Sequence, residues 1–411
     1  MHDPHLALRR PPSRVAGVLS GTSADGIDVA VAAPHFESRG GATRLVGLQQ
    51  LAFATEPFPG GLGERVREAL ERGLSSLGAV ALLHRDLGRA FGAAARRVAA
   101  ETGTGPLDLV ASHGQTVFHH DGAGPTGPVT LQLGDGDEVA EAAGCGAVTD
   151  LRTRDVAAGG EGAPLVALVD DVLFRDTPRP LAVLNLGGIA NWTVLPGAGG
   201  AARAFDAGPA GALLDGLARR LLGRPFDDGG RIALEGRPDP ALLESLLDHP
   251  FLQANPPKST GRDTFGEAWI ERVLSGAGHL SSADVLATAA RFVARAAVDA
   301  LVKWGLSGDP GGLVVAAGGG GTHNAALGAA LDDELCRRGL GTPRGAGDPG
   351  RWTPTSTLGV DPDAREALAF AALGARFAVG EASTSPAATG ALPGRVLGKW
   401  SPGPPGASRD R

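Results

Sequence analysis

The chain has 411 residues, with 38 Lys plus Arg against 45 Asp plus Glu for a formal charge of −7, and 43% of its residues are hydrophobic. That apolar share excludes a chain disordered throughout, and the acidic balance argues against a nucleic-acid binder with its basic stripe. No apolar run nears the ~18 residues that a membrane span needs.

At roughly 100–200 residues per domain, the length predicts two domains. The lead from Met1 to Pro12 has no apolar stretch of the secretory kind. Two cysteines, Cys145 and Cys336, make no disulfide framework and suit a reducing compartment, so the expected location is the cytoplasm. The 64 glycines are about twice the ordinary usage of ~7%. Many gather at turns, where they permit close backbone approach to a ligand.

Residues 1–13 read as a disordered lead. Val15 to Ser20 predicts an apolar strand, Gly21 to Gly26 a turn, and Ile27 to Ala33 a returning strand. A third strand is expected over Leu45–Ala54, with helices over Leu62–Arg72 and Leu77–Glu101. Short strands at Leu107–Ser112 and Val129–Leu133 follow. The second half repeats the theme with strand Leu181–Leu186, a tight glycine turn and strand Trp192–Leu195. Ala202–Phe205 then leads into Asp206 and a helix from Pro209 to Leu222. A long helix is predicted over Ala283–Trp304, then strand Leu313–Ala317, helix Asn324–Arg338 and helix Asp361–Ala378. Residues 393–411 read as a second disordered tail. Strands alternating with helices give an α/β class. Two strand–turn–strand units imply related halves, residues 14–150 with about 365–392, and residues 151–364.

Ser20-Gly21-Thr22-Ser23-Ala24-Asp25-Gly26-Ile27-Asp28 is the first glycine turn. Its N–H groups and hydroxyls make an anion site, and its aspartates tolerate phosphate only with Mg²⁺ between them, Asp28 being the metal candidate. An ordinary hairpin accounts for the same residues. Gly187 and Gly188 form a second such turn, and Gly318, Gly319 and Gly320 lie between strand and helix, where a helix N-terminus favours anions. Two hairpins facing each other across a cleft would hold a polyphosphate from both sides. His113 and Gln115 sit at a predicted strand end, where α/β proteins place ligand contacts; a structural histidine fits equally. Asp155, beside Gly159-Gly160-Glu161-Gly162 and flanked by Arg152 and Arg154, suits a general base. A surface Arg–Asp network is the alternative. Lys258 to Asp263 reads as an anion-binding loop or a solvated one.

Taken in order from about Val15 to Ala391, these blocks resemble the anhydro-N-acetylmuramic acid kinases, of the acetate/sugar kinase–Hsp70–actin superfamily. The resemblance implies two duplicated actin-like (RNase H-like) domains with a central nucleotide cleft. It implies an ATP- and Mg²⁺-dependent phosphotransferase of peptidoglycan recycling, with an alcohol group as acceptor. The substrates would be ATP and an amino sugar, 1,6-anhydro-N-acetylmuramic acid, and the product N-acetylmuramic acid 6-phosphate. Neither nucleic acid nor membrane is an expected partner, and a homodimer is left open. ATP would be bound by Gly21, Thr22, Ser23, Ala24, Asp25, Gly26, Ile27 and Asp28, with Gly187, Gly188, Asp206, Gly318, Gly319 and Gly320. The family's base falls on Asp155, and His113, Gln115, Arg152 and Glu161 are substrate-binding candidates.

The chain departs from the family pattern at Leu151 for Phe, Glu161 for Gln, and Ala207, Ala210 and Gly211 for Thr, Gly and Asn. A carboxylate at Glu161 close to Asp155 would raise one pKa. A superfamily sugar kinase acting on a free hydroxyl, or a nucleotide-binding regulator without catalysis, are the alternatives.

Overall fold

Val15–Ser20 is buried at every position, as an unbroken apolar run in a sheet must be. In the computed structural model, which describes residues 10–21, 24, 26–73, 76–121, 127–197, 202–256, 258–306, 311–342 and 350–405, this strand (β1) is central to a mixed sheet. Ile27–Arg39 (β2) and Ala42–Glu56 (β3) follow it as an antiparallel meander. On the other side Leu109–Asp121 (β4) pairs with β1 in parallel, Pro128–Leu133 (β5) folds back on β4, and Gly146–Thr149 (β6) joins β4 in parallel.

Side-chain alternation along β1 sends Ala16 and Val18 to one face and Gly17 to the other. Ala16 and Val18 share a core with Leu83, Leu87, Phe91, Ala95 and Val98 of helix Leu77–Glu101. Burying a side chain such as Phe91 contributes about 1.5–3 kcal/mol. Ser76 caps that helix by accepting from the Ala79 N–H. On the opposite face helix Arg365–Ala378 packs so close that a Cβ on Gly17 would fall on the Ala367 carbonyl.

The second half builds its own sheet. Leu181–Leu186 (β7), Ile189–Leu195 (β8) and Arg203–Pro209 (β9) form an antiparallel meander. Val314–Gly318 (β10) joins β7 in parallel, and Thr353–Pro354 (β11) joins β10. Trp192 and Phe205 pack with helices Gly211–Leu222 and Ser282–Ala300. The Trp192 indole N–H donates to Ala297 O at 2.8 Å. The orders β3-β2-β1-β4-β6 and β9-β8-β7-β10-β11 repeat one connectivity. The fold is therefore the duplicated α/β architecture, actin-like (RNase H-like) in each half.

Some boundaries differ from the sequence reading. The chain divides into Met1–Arg175 with Ala364–Arg411, and Asp176–Asp363, so residues 151–175 belong with the first half. Asp170 pairs with Arg365, and Arg376 Nη1 donates to Leu168 O, which ties that segment to helix Arg365–Ala378. Residues 393–405 are structured rather than a loose tail. Leu397 is buried, Lys399–Ser401 pairs antiparallel with β6, and the Trp400 ring occupies the space a Cβ on Gly146 would need. The lead is anchored from Ser13, whose N–H donates to Asp108 at 2.7 Å; residues 1–9 and 406–411 lie outside the described residues. The helix expected from Pro209 starts at Gly211 because Pro209 ends β9, and the one expected from Asp361 starts at Arg365. The long Ala283–Trp304 prediction becomes Ser282–Ala300 plus a π-turn, Leu301–Gly305.

Candidate active site

The strand expected to stop at Ser112 continues to Asp121, and its pairing slips within the motif. Val18 faces Ser112 and Leu19 faces Gly114, so His113 is an extra residue in β4. Gly114 takes φ +78°, a conformation that costs other residues energy. Such a bulge re-aims side chains. Buried His113 accepts at Nε2 from Arg152 Nε at 2.6 Å and donates from Nδ1 to Gly114 O at 3.0 Å. A guanidinium only donates, so the imidazole is neutral. Burial, and then the Arg152 charge, hold its pKa well below the usual histidine value. The ring also packs on Phe370, centroids 4.6 Å apart. Two residues on, buried Gln115 donates from Nε2 to Gly21 O at 3.2 Å, linking β4 to the β1–β2 turn. Its Oε1 has no hydrogen-bond partner among the described residues.

Within that turn, Gly21, Ala24 and Gly26 are described; Thr22, Ser23 and Asp25 lie outside the described residues. Ala24 takes φ +52° and donates from its N–H to Gly21 O at 3.2 Å. Ser20 Oγ is buried without a hydrogen-bond partner among the described residues, an orphan that suits a turn built around an anion. Ile27 begins β2 and is buried. Asp28 Oδ1 accepts from Thr55 Oγ1 at 2.6 Å. No group of three or more His, Cys, Asp or Glu among the described residues is arranged to hold a metal. A magnesium ion held by one or two carboxylates and by phosphate oxygens needs no such cage, and Asp28 fits that donor set.

Asp155 sits in the short helix Leu151–Val156 with no exposed surface. Its Oδ1 accepts from Thr389 Oγ1 at 2.8 Å and its Oδ2 from the Gly162 N–H at 2.9 Å. A Cβ on Gly160 would fall on Oδ2, so only glycine leaves room for the carboxylate. Arg152 Nη1 donates to Gly162 O at 2.8 Å, joining the loop to His113 through one guanidinium. Glu161 contributes its N–H to Thr389 O at 2.8 Å. Burial raises the Asp155 pKa, opposed by Thr389, the Gly162 N–H and the Arg152 charge. A surface Arg–Asp network is thereby excluded. Asp155, Arg152, His113 and the Glu161 backbone come together. Thr389 was not foreseen. It lies 234 residues from Asp155 in a Ser-, Ala- and Gly-rich stretch with no local mark of function.

In the second half the two glycine clusters also meet. Gly318 pairs with Asn185 across β10 and β7, and a Cβ on Gly319 would crowd Asn185 Oδ1 at 2.9 Å. Gly320 opens the short helix Gly320–His323. The Gly187 and Gly188 carbonyls accept from the N–H groups of Gly211 and Ala210, both at 2.9 Å. Asn185, Asn191 and Asp206 are neighbours in register on β7, β8 and β9. Buried Asp206 accepts at Oδ2 from the Thr260 N–H at 2.8 Å. Lys258, in the stretch read as either an anion-binding loop or a solvated one, is buried, which rules out the solvated alternative for this side chain. Its Nζ donates to Phe251 O at 3.2 Å and lies 4.4 Å and 3.9 Å from the Phe251 and Trp304 ring centroids. Burial lowers its pKa to about 8, with Asp206 opposing. Of the departures, Leu151 and Ala207 are buried apolar side chains, and a Cβ on Gly211 would press on Gly187 O at 3.0 Å.

The family model described as anhydro-N-acetylmuramic acid kinase matches residues 13–403. A protein of that name from Streptomyces coelicolor is 40% identical over 395 residues, covering 95% of this chain and 94% of its own. Its namesake from Gloeobacter violaceus is 38% identical over 384 residues, covering 92% and 96%. Another, from Salinibacter ruber, is 39% identical over 415 residues, covering 98% and 100%. Similarity of this depth along nearly the whole length of both partners makes the chain a member of the anhydro-N-acetylmuramic acid kinase family.

Proposed function

We propose that the chain is an ATP-dependent kinase of 1,6-anhydro-N-acetylmuramic acid, working in the cytoplasm in peptidoglycan recycling. Its product would be N-acetylmuramic acid 6-phosphate. The observation that carries the reading is Asp155, a buried carboxylate held by two hydrogen bonds beside a guanidinium, in a chain of this family.

Asp155 takes a proton from a water that attacks the anomeric carbon of the bridged sugar. The C1–O6 bond breaks, and O6 takes the γ-phosphoryl group of ATP. A glycosidase needs a second carboxyl group to protonate the leaving oxygen; here phosphorus captures that oxygen, so one carboxylate suffices. The raised pKa makes Asp155 a stronger base than an exposed aspartate. Its burial keeps bulk solvent away from the carboxylate. Arg152 is the cation offered to the lactyl carboxylate. Ser20, the Gly21 turn and Asp28 would hold the triphosphate with Mg²⁺, which neutralises charge on the phosphate oxygens.

The test is purified protein with ATP, Mg²⁺ and the anhydro sugar, scored for ADP and a 6-phosphorylated reducing sugar. Asp155→Asn is expected to keep ATP binding and to lose turnover by about 10²–10⁴-fold. Near-normal turnover in that variant refutes the base assignment. Equal phosphorylation of sugars lacking the anhydro bridge would favour a plain sugar kinase.

A further inference from the structure

We infer that Thr389 is a positioning residue for the reaction: its hydroxyl orients the Asp155 carboxylate and keeps it ionised for proton abstraction. This rests on the reading of Asp155 as the base.

The hydroxyl has one proton and two acceptors within reach, Asp155 Oδ1 at 2.8 Å and Ser385 O at 3.4 Å. The shorter, charge-assisted bond takes it. The Ala391 N–H approaches the same oxygen at 3.4 Å as a donor, which leaves the proton directed at the carboxylate. With Oδ1 tied to Thr389 and Oδ2 to the Gly162 N–H, the carboxylate plane cannot rotate. A fixed plane presents the remaining lone pairs in one direction, as a base acting on a positioned water requires.

The backbone of Thr389 is held independently of this hydroxyl. Its N–H donates to Ser385 O at 3.0 Å and its carbonyl accepts from the Glu161 N–H at 2.8 Å. The Leu392 N–H donates to Ala158 O at 2.9 Å beside it. Loss of the hydroxyl therefore removes the bond to Asp155 without releasing the segment.

The charged surroundings of Asp155 are few. Its own helix brings Arg152 and Arg154, and Asp150 at the start of that helix is paired with Lys399 at 3.3 Å. The loop brings Glu161, and β4 brings His113, which is neutral. Strand β5, packed on the helix, and residues 383–392 carry no titratable side chain. The donated hydrogen bond favours the carboxylate form against the burial that disfavours it. Removing it raises the Asp155 pKa, and a base of higher pKa loses its ionised fraction at a higher pH. The acid limb of the rate profile must then move upward.

The experiment measures kcat/KM for the anhydro sugar from pH 5 to 9, with ATP and Mg²⁺ saturating, for wild type, Thr389→Val, Thr389→Ala, Thr389→Ser and Asp155→Asn. Both hydroxyl-free variants are expected to shift the acid limb up by roughly one pH unit. They should lower kcat and, in a second titration with ATP varied at saturating sugar, leave KM for ATP unchanged, and Thr389→Ser should restore the wild-type acid limb and kcat. A uniform loss of rate with the limb unmoved, or serine failing to restore it, overturns the proposal. So does failure of both hydroxyl-free variants to fold, because the backbone bonds alone are held to keep the segment in place. Near-normal turnover in Asp155→Asn instead overturns the base reading beneath it.

Discussion

His113 and Arg152 share one hydrogen bond, 2.6 Å long, that only a neutral imidazole can accept. In the unfolded chain the same imidazole takes up a proton near pH 6.5, whereas in the folded chain its pKa lies well below that value. The resulting stability is complete above about pH 6.5 and is lost as the pH falls toward the folded value, at up to about 1.4 kcal/mol per pH unit. Thermal denaturation from pH 7 to pH 5 should therefore cost the wild type more stability than it costs His113→Gln. Parallel curves would show that His113 titrates normally in the fold.

Gly160→Ala should displace the Asp155 carboxylate, since the new Cβ would fall on Oδ2 and lie 2.8 Å from Ala391 Cβ. A turnover loss of about 10²-fold is expected from so small a misplacement. Gly159→Ala is the control. Gly159 has φ +87° and nothing within 4 Å of an added Cβ, so the change costs about 1–2 kcal/mol of stability and leaves turnover near that of the wild type. Equal effects of the two substitutions on turnover would contradict this account of the loop.

Asp170 and Arg365 form a two-point ion pair at 2.5 Å and 3.2 Å, with both side chains almost wholly buried. Asp170→Ala strands a guanidinium in the interior and should destabilise the chain by about 3–5 kcal/mol. Replacing both residues, Asp170→Leu with Arg365→Met, should recover most of that loss. Urea denaturation of the single and double variants reads the difference. A single variant as stable as the wild type would remove this pair as the tie between residues 166–175 and helix Arg365–Ala378.

Lys258 contributes in the opposite pH range. Its folded pKa of about 8 lies below the ordinary 10.5, so the unfolded chain binds the extra proton between those values. Stability should rise with pH across that window, by up to about 1.4 kcal/mol per pH unit relative to Lys258→Met. A constant difference between the two proteins from pH 8 to 10.5 would mean that Lys258 stays solvated and charged.

Much of the framework was legible in the chain because its causes are local. Val15–Ser20 and Leu181–Leu186 are apolar runs too continuous for anything but central strands, and Leu77–Glu101 carries its apolar face at helical spacing. The glycines at 21, 26, 187 and 188 marked the two hairpin turns for the same reason. His113 was legible as a residue of interest but not as a neutral one, because its state depends on a bulge in β4 and on a guanidinium 39 residues away.

Residue types and short-range spacing determined the α/β class and the repeat of the strand–turn–strand unit, and they offered Asp155 as a general-base candidate with a surface Arg–Asp network as the alternative. Tertiary structure alone decided that Lys258 turns inward, that Lys399–Ser401 completes a sheet and that Thr389 holds Asp155 from 234 residues away. Hydrophobic periodicity is written between near neighbours along the chain. A hydrogen bond between distant segments leaves no such trace, since a buried threonine and a loop threonine are the same residue until the fold brings a carboxylate to one of them.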